Sequence, residues 1–294
     1  MKLQLSRRLE LAALAETVVE MHSPQGGAVS LDKILKENGI KLHTGEYAEN
    51  FDAVLVPGTP DFHIHLNLRK VNGNPRSPRA RFSIAHELGH YFIDEHRSRL
   101  LESNPEPSVC GLFDGNESNE EHEADHFAAN LIMPPARFKA AISSSWTPLT
   151  TIRTLAAVFD SSMTATAIQF LNHVSDRSMV IRWKPDGEMA WAIPGIGYKA
   201  EGYRTVLFKN REKLPPDSAS ARVIAGKSAH DSGVLDMATV FLNVAQAGTR
   251  NLLVTEEAIA LGEYGFMTIL SDHRHAPDQV SERAKRRALR KSGN

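Results

Sequence analysis

The chain has 294 residues, enough for two domains, and its 41% hydrophobic and 23% charged residues are typical of a soluble globular protein. Its 34 basic residues nearly balance 35 acidic ones, which argues against a global attraction to nucleic acid. The single cysteine, Cys110, excludes an internal disulfide framework and a cysteine-based zinc site. Because the N-terminal residues hold no long apolar stretch, we expect no signal peptide, no membrane span and a cytoplasmic protein.

Two helices are predicted at the start of the chain. Apolar residues recur with helical spacing over residues 6–22. Ser30 is placed to cap a second helix, and Asn38 with Gly39 is a typical helix end. These helices are expected to contribute to a core.

Strands follow the two helices. Residues 53–56 form a short apolar run, and in residues 62–68 apolar side chains alternate with polar ones that include His63 and His65. The alternation predicts a strand with one polar face, which we expect to be solvated. As an edge strand beside the next helix, it could instead bind an extended peptide by strand addition.

A metal-binding motif occupies the next predicted helix, where residues 86–90 read H-E-L-G-H among apolar neighbours. His86 and His90 are four residues apart, so their imidazoles project from one face and suit two ligands of a tetrahedral Zn²⁺. Glu87 could act as general base toward a water molecule whose pKa the zinc lowers. The alternative is a helix with two core histidines hydrogen-bonded to backbone.

A catalytic zinc needs a third protein ligand, and two residues compete for that role. His96 has the metzincin spacing, but Ile93 replaces the glycine at which that pattern turns. Glu121 lies on a second predicted helix, with Asp125 four residues later on the same side. We favour Glu121 as the ligand and Asp125 as the acceptor of a hydrogen bond from a ligating imidazole.

Two further segments lie around this second helix. Residues 97–120 predict a long irregular loop that could form one wall of a substrate cleft. Residues 136–173 are predicted to be helical, with a start marked at residues 145–148, an apolar stripe from Ile152 to Phe159 and a break at residues 160–162. A helix resumes over residues 164–171, and the two short helices around a tight turn are similar to a helix-turn-helix. Since the later helix lacks a cluster of Lys or Arg for phosphate contacts, a packing unit is favoured over a DNA reader.

The C-terminal part is rich in β structure. We predict strands at 179–183, 189–193, 203–208, 239–244, 251–255 and 266–270. They indicate a small antiparallel α+β domain of sensory or partner-binding type.

The tail, residues 272–294, is basic and lacks periodic apolar residues. We expect it to be disordered, and a salt-sensitive contact with nucleic acid or an acidic partner is the alternative.

Two sequence blocks carry a family resemblance. Residues 81–92 read R-F-S-I-A-H-E-L-G-H-Y-F, and residues 121–134 read E-H-E-A-D-H-F-A-A-N-L-I-M-P. Together they closely resemble the ImmA/IrrE family of zinc peptidase-like proteins, over roughly residues 1–175. The resemblance implies a gluzincin-like minimal metallopeptidase core. In that core the ligands would be His86, His90 and Glu121, and the base would be Glu87.

Family members are regulators that cleave or inactivate a helix-turn-helix repressor. We therefore expect a zinc endopeptidase, with Mn²⁺ as a possible metal in the cell. Its expected substrate is a regulatory protein such as a helix-turn-helix repressor. The alternative is a non-cleaving, metal-dependent regulator that binds a repressor or DNA. Because structural zinc usually has four protein ligands, three candidate ligands favour catalysis.

The predicted fold class is α+β, with a minimal zincin-like metallopeptidase core. We expect a metallopeptidase-like domain over 1–140, a helix-turn-helix-like segment over 141–177, an antiparallel α+β domain over 178–271 and a basic tail over 272–294.

Overall fold

The computed structural model describes residues 3–48, 51–58, 61–102, 119–142, 147–174, 177–202, 214–241 and 253–272. Its helices are α1 (Leu5–His22), α2 (Leu31–Glu37), α3 (Pro78–Phe92), α4 (Asp94–Glu102), α5 (Asn119–Ile132), α6 (Pro135–Ala141), α7 (Pro148–Phe159), α8 (Met163–His173), α9 (Ile196–Ala200) and α10 (Ala219–Ile224). Its strands are β1 (Lys41–Gly45), β2 (Ala53–Pro57), β3 (Phe62–Asn67), β4 (Ser178–Trp183), β5 (Met189–Pro194), β6 (His230–Asp236), β7 (Leu253–Ala260) and β8 (Phe266–Asp272). The mixture of helices and sheets confirms the predicted α+β class.

The chain divides into two compact units. Unit 1 comprises residues 1–142 and 155–165, and unit 2 comprises residues 143–154 and 166–294. Helix α7 is therefore shared between the units, and the four-part division drawn from the sequence stays a prediction. Within the described part of the chain, no helix has the length and apolar character that crossing a membrane requires.

Unit 1 contains a three-stranded sheet with the order β1-β3-β2. Strand β1 runs parallel to β3, and β2 runs antiparallel to it. Strand β1 pairs with one side of β3 and β2 with the other. The prediction that β3 could serve as an edge strand is therefore wrong. Strand β1 was not predicted from the sequence.

One face of this sheet is apolar. Ile64 and Leu66 on β3 are both fully buried, as alternation along a half-buried strand predicts. Phe62, on the same face, packs against Tyr91 of α3 with ring centroids 5.3 Å apart. The metal-motif helix therefore packs on the apolar face of the sheet.

Helix α3 begins where the sequence provides a cap. The Ser77 hydroxyl accepts a hydrogen bond from the Ala80 N–H at 3.2 Å, and Pro78 opens the helix. The helix ends at Phe92, and α4 starts at Asp94. The loop predicted over residues 97–120 is therefore wrong up to Glu102, and its residues 103–118 lie outside the described residues.

Unit 2 contains a five-stranded antiparallel sheet with the order β5-β4-β8-β7-β6. The strands predicted at 179–183, 189–193 and 266–270 are present, and β7 extends the strand predicted at 251–255. Strand β6 was missed.

Of the other two strands predicted in unit 2, one differs from the structure and one lies outside the described residues. The strand predicted at 239–244 is wrong at its start, because Met237–Thr239 form a 3-10 turn, and its residues 242–244 lie outside the described residues. The strand predicted at 203–208 and the basic tail from residue 273 onward lie outside the described residues.

Two consecutive glutamates on β7 anchor helix starts in unit 2. Side chains alternate along a strand, so Glu256 and Glu257 point to opposite faces. Glu256 accepts hydrogen bonds from the N–H of Ala219, at 2.5 Å, and from that of Ser220, both in the first turn of α10. Glu257 accepts hydrogen bonds from the Thr147 hydroxyl at 2.6 Å and the Leu149 N–H at 3.1 Å, at the start of α7. The buried carboxylates therefore satisfy backbone donors that a helix start leaves unpaired.

Candidate metal centre

The motif histidines lie together on α3. His86 and His90 are one helical turn apart, and their Nε2 atoms are separated by 3.1 Å. Their rings are 4.9 Å apart and inclined at 66°. Two imidazole nitrogens therefore face a common point.

Helix α5 brings a carboxylate to the same point. Glu121 places Oε2 3.2 Å from His86 Nε2 and Oε1 3.6 Å from His90 Nε2. Zinc bonds of about 2.0–2.1 Å to nitrogen or oxygen imply ligand atoms about 3.4 Å apart in a tetrahedron. The separations of 3.1, 3.2 and 3.6 Å lie close to that value, with the last two ending on different oxygens of Glu121. Among the described residues, this is the one group of three potential ligands whose atoms all lie within 4.8 Å of one another.

The close approach of α5 to α3 depends on small residues. A Cβ added to Gly89 would lie 3.1 Å from the Ala124 Cα and 3.2 Å from the Ala124 carbonyl oxygen. The absence of a side chain at position 89 thus lets the backbones approach closely enough for Glu121 to reach the histidines.

Glu87 is buried beside this group, with 2% of its surface exposed. Its Oε2 atom is buried and accepts no hydrogen bond from the described residues. Burial raises the pKa of Glu87 to about 7. The charge of His86 acts to lower this pKa, and the charge of Glu121 acts to raise it. A backbone hydrogen bond from Leu55 on β2 acts to lower this pKa. A cation bound nearby would act in the same direction as that hydrogen bond.

The environment of His90 favours a neutral imidazole. Burial lowers the pKa of His90, and the neighbouring charge of His86 lowers it further, while Glu121 opposes both. Neutral imidazole is the form that binds a metal ion. His90 can therefore bind a cation without first releasing a proton.

Asp125 lies where a hydrogen-bond partner of a metal-binding histidine is expected. Its Oδ1 atom is 2.9 Å from His86 Nδ1. A hydrogen bond from the Nδ1–H to this carboxylate leaves Nε2 of His86 for a metal ion. The structure thus brings Asp125 to the predicted place, and its role stays a prediction.

The competing residue, His96, faces elsewhere. The backbone of Ile93 is extended, with φ −80° and ψ 110°, and the chain continues directly into α4. His96 is buried, with Nε2 3.3 Å from Glu123 Oε2, and Glu123 also binds Arg7 at 2.6 Å. His96 packs against the His90 ring at 5.1 Å and lies outside the three-ligand group.

Comparison with known proteins supports the family resemblance. Residues 70–170 match the family model of the IrrE N-terminal-like domain, Peptidase_M78. The predicted resemblance is confirmed over this range. A solved structure described as a Mycobacterium tuberculosis transcriptional regulator has a TM-score of 0.55 to this chain and 15% sequence identity. The alignment covers 91% of this chain and 77% of that one, and it establishes a shared fold. No curated protein matches the chain.

The IrrE-like region, residues 70–170, holds every site residue that the sequence predicted. These residues are His86, Glu87, His90, Glu121 and Asp125. Two contacts come from outside that range and were missed, namely the Leu55 backbone contact to Glu87 and the Arg7 contact to Glu123. Neither has a local sequence signal, because each joins segments that are distant along the chain.

Proposed function

We propose that the protein is a zinc-dependent peptidase with a zincin-like core that cleaves a regulatory protein. The observation that carries the proposal is the convergence of ligand atoms of His86, His90 and Glu121, all within 4.8 Å of one another, beside the buried Glu87. Three protein ligands leave one position open, as catalytic zinc sites do. The match to the Peptidase_M78 model supports the same reaction class.

The residues of the chain divide the chemistry between them. His86, His90 and Glu121 would hold the zinc ion, which when bound would supply Lewis acidity at a peptide carbonyl. Glu87 takes a proton from the attacking water on its unpaired Oε2 and returns it to the leaving amine nitrogen. Asp125 orients His86 through Nδ1, which keeps Nε2 directed toward the ion.

The substrate we propose is a helix-turn-helix repressor, cut at few sites in the cytoplasm. The resemblance to a family of regulators supports this choice. The description of the structurally similar mycobacterial protein as a transcriptional regulator supports it as well. A single regulatory substrate fits a site whose base is almost fully buried, because access to Glu87 is restricted.

The test combines purified full-length protein, Zn²⁺ or Mn²⁺, and the transcription factor encoded next to its gene. Two defined fragments of that factor are expected with wild-type protein. The matched control is Glu87→Gln, which should keep the fold and the metal but abolish cleavage, because it removes the base and leaves the ligands. Cleavage by Glu87→Gln at a near wild-type rate would contradict the mechanism.

A second function is a non-cleaving, metal-dependent regulator that binds a repressor or DNA. The description of the structural neighbour as a transcriptional regulator is compatible with it. In that case wild-type protein and Glu87→Gln should bind the transcription factor equally, and neither should produce fragments. Binding measurements run beside the cleavage test therefore separate the two functions.

A further inference from the structure

Three histidines gather on the other face of the unit 1 sheet. Strands β1 and β3 are parallel, and their register places His43 directly opposite His65 and Lys41 opposite His63. Side chains alternate along β3, so His63 and His65 project away from the face that carries Phe62, Ile64 and Leu66. We call His43, His63 and His65 the histidine triad.

Two members of the triad are at metal-ligand spacing. His43 Nε2 and His63 Nδ1 lie 2.9 Å apart, and their rings are 5.1 Å apart. Two nitrogens on one tetrahedral ion are separated by about 3.4 Å, given bonds of about 2.0–2.1 Å. A small outward shift would therefore let both nitrogens bind the same ion.

The third member is held beside this pair. The His65 ring stacks on His43 at 4.8 Å, and its Nδ1 atom is 3.0 Å from the Tyr47 hydroxyl. Metal-binding histidines commonly use their second ring nitrogen for a hydrogen bond of this kind. With Nδ1 bonded to Tyr47, Nε2 of His65 is the nitrogen left for a metal ion.

A positive charge beside the triad is balanced by a carboxylate. Lys41 lies opposite His63 in the register, and its ammonium group is paired with Asp61 at 2.9 Å. The Asp61 carboxylate therefore offsets the charge of Lys41 beside the triad.

We propose that the histidine triad is a second metal site, which binds a divalent first-row ion such as Zn²⁺. Imidazole ligands suit zinc, copper and nickel. His43 and His63 bind the ion through the paired nitrogens, and a rotation of the His65 side chain brings its Nε2 to the third position. Among the described residues only the group of His86, His90 and Glu121 already has three ligand atoms within 4.8 Å, so the triad site is the weaker of the two.

The test is calorimetric titration of metal-free, full-length protein with Zn²⁺ alone. Wild-type protein should bind two equivalents, one tightly and one weakly. His63→Ala should weaken the second equivalent by more than about 100-fold, since losing a ligand exceeds the roughly 10- to 100-fold effect of losing an outer partner. His43→Ala, at an exposed position, should do the same without affecting the fold. His230→Ala, at an exposed histidine of β6, is the matched control and should change neither equivalent.

Glu121→Ala separates this inference from the peptidase proposal, because it should remove the tight equivalent and keep the weak one. A wild-type stoichiometry of one at up to about 1 mM free Zn²⁺ overturns the triad site. So does a second equivalent that survives both His43→Ala and His63→Ala. If a variant fails to fold, NMR of unaltered protein labelled in the histidine rings decides. The His43 and His65 resonances should shift after the first equivalent has bound, and unchanged resonances overturn the proposal.

Discussion

At the scale of single residues, helical geometry divides three acidic side chains of α5 between two sets of partners. Glu121 and Asp125 are four residues apart and both reach His86. Glu123 lies between them in sequence, but two residues correspond to about 200° of rotation on a helix. It therefore points away from that pair and bonds with His96 and Arg7.

The third ligand gives a prediction at this scale. Glu121→Ala should lower zinc affinity by orders of magnitude, because a site of three ligands falls to two. Asp125→Ala should lower it by roughly 10- to 100-fold, as the loss of an outer partner does. His96→Ala should change it little, since His96 bonds with Glu123. Calorimetry that finds zinc lost from His96→Ala and retained by Glu121→Ala would contradict this assignment.

At the scale of secondary-structure elements, the contact between α3 and α5 determines whether the ligands meet. Gly89 and Ala124 form that contact, and the added-Cβ distance of 3.1 Å leaves no room for a larger side chain. A change at position 89 should therefore affect both stability and metal binding.

Gly89→Leu should lower the free energy of unfolding by about 1–3 kcal/mol through overpacking, although leucine is a good helix former. It should also weaken zinc binding, because α5 carries Glu121. Gly89→Ala is the matched control, since it adds a single carbon and should have the smaller effect on both quantities. Urea unfolding and zinc titration measure the two effects. Wild-type stability in Gly89→Leu would show that the helices are not in close contact.

The buried glutamates of β7 give a pH-dependent prediction. Burial raises the pKa of Glu256 above its ordinary value of 4.5, against the hydrogen bonds it accepts from Ser220 and Ala219. The folded protein thus holds a proton that the unfolded chain releases, and this contribution to stability is present below pH 4.5. It is lost as the pH rises through the higher pKa of the folded state.

Glu256→Gln should remove this dependence. The free energy of unfolding of wild-type protein, relative to the variant, should fall as the pH rises from about 4.5 to 8. Urea unfolding across that range measures the difference. A wild-type advantage that grows with pH would show that the pKa of Glu256 is lowered on folding.

At the scale of the whole molecule, each unit has its own sheet and its own buried side chains. All three candidate zinc ligands belong to unit 1. Trp183, Tyr198 and Phe241 belong to a core cluster of unit 2. The candidate metal ligands therefore lie in unit 1, and a role for unit 2 in binding a partner or signal stays a prediction.

The basic tail allows a whole-molecule prediction, although it lies outside the described residues. Residues 276–294 lack apolar residues with core-facing periodicity. Their removal should leave the melting temperature within about 2 °C of wild type and should leave zinc affinity unchanged. Calorimetry of the truncated chain tests both, and a large drop in melting temperature would show that the tail packs on the folded protein.

The sequence by itself was sufficient for features that depend on local spacing. The four-residue interval between His86 and His90, the cap at Ser30 and the helix that carries Glu121 are local features, and the structure contains all three. The α+β class followed from the same patterns. The sequence also favoured Glu121, because Asp125 lies one turn later on the same side.

Only the tertiary structure decided the features that join distant segments. Strand β1 pairs with β3, and without that pairing the sequence does not indicate that His43 lies near His63 and His65. The partners of Glu123, the contact of Leu55 with Glu87 and the helix starts bound by Glu256 and Glu257 depend in the same way on how segments pack. Helical spacing is fixed by backbone hydrogen bonds within a few residues. The neighbours of a side chain across a sheet or between helices are fixed by how the whole chain buries its apolar surface.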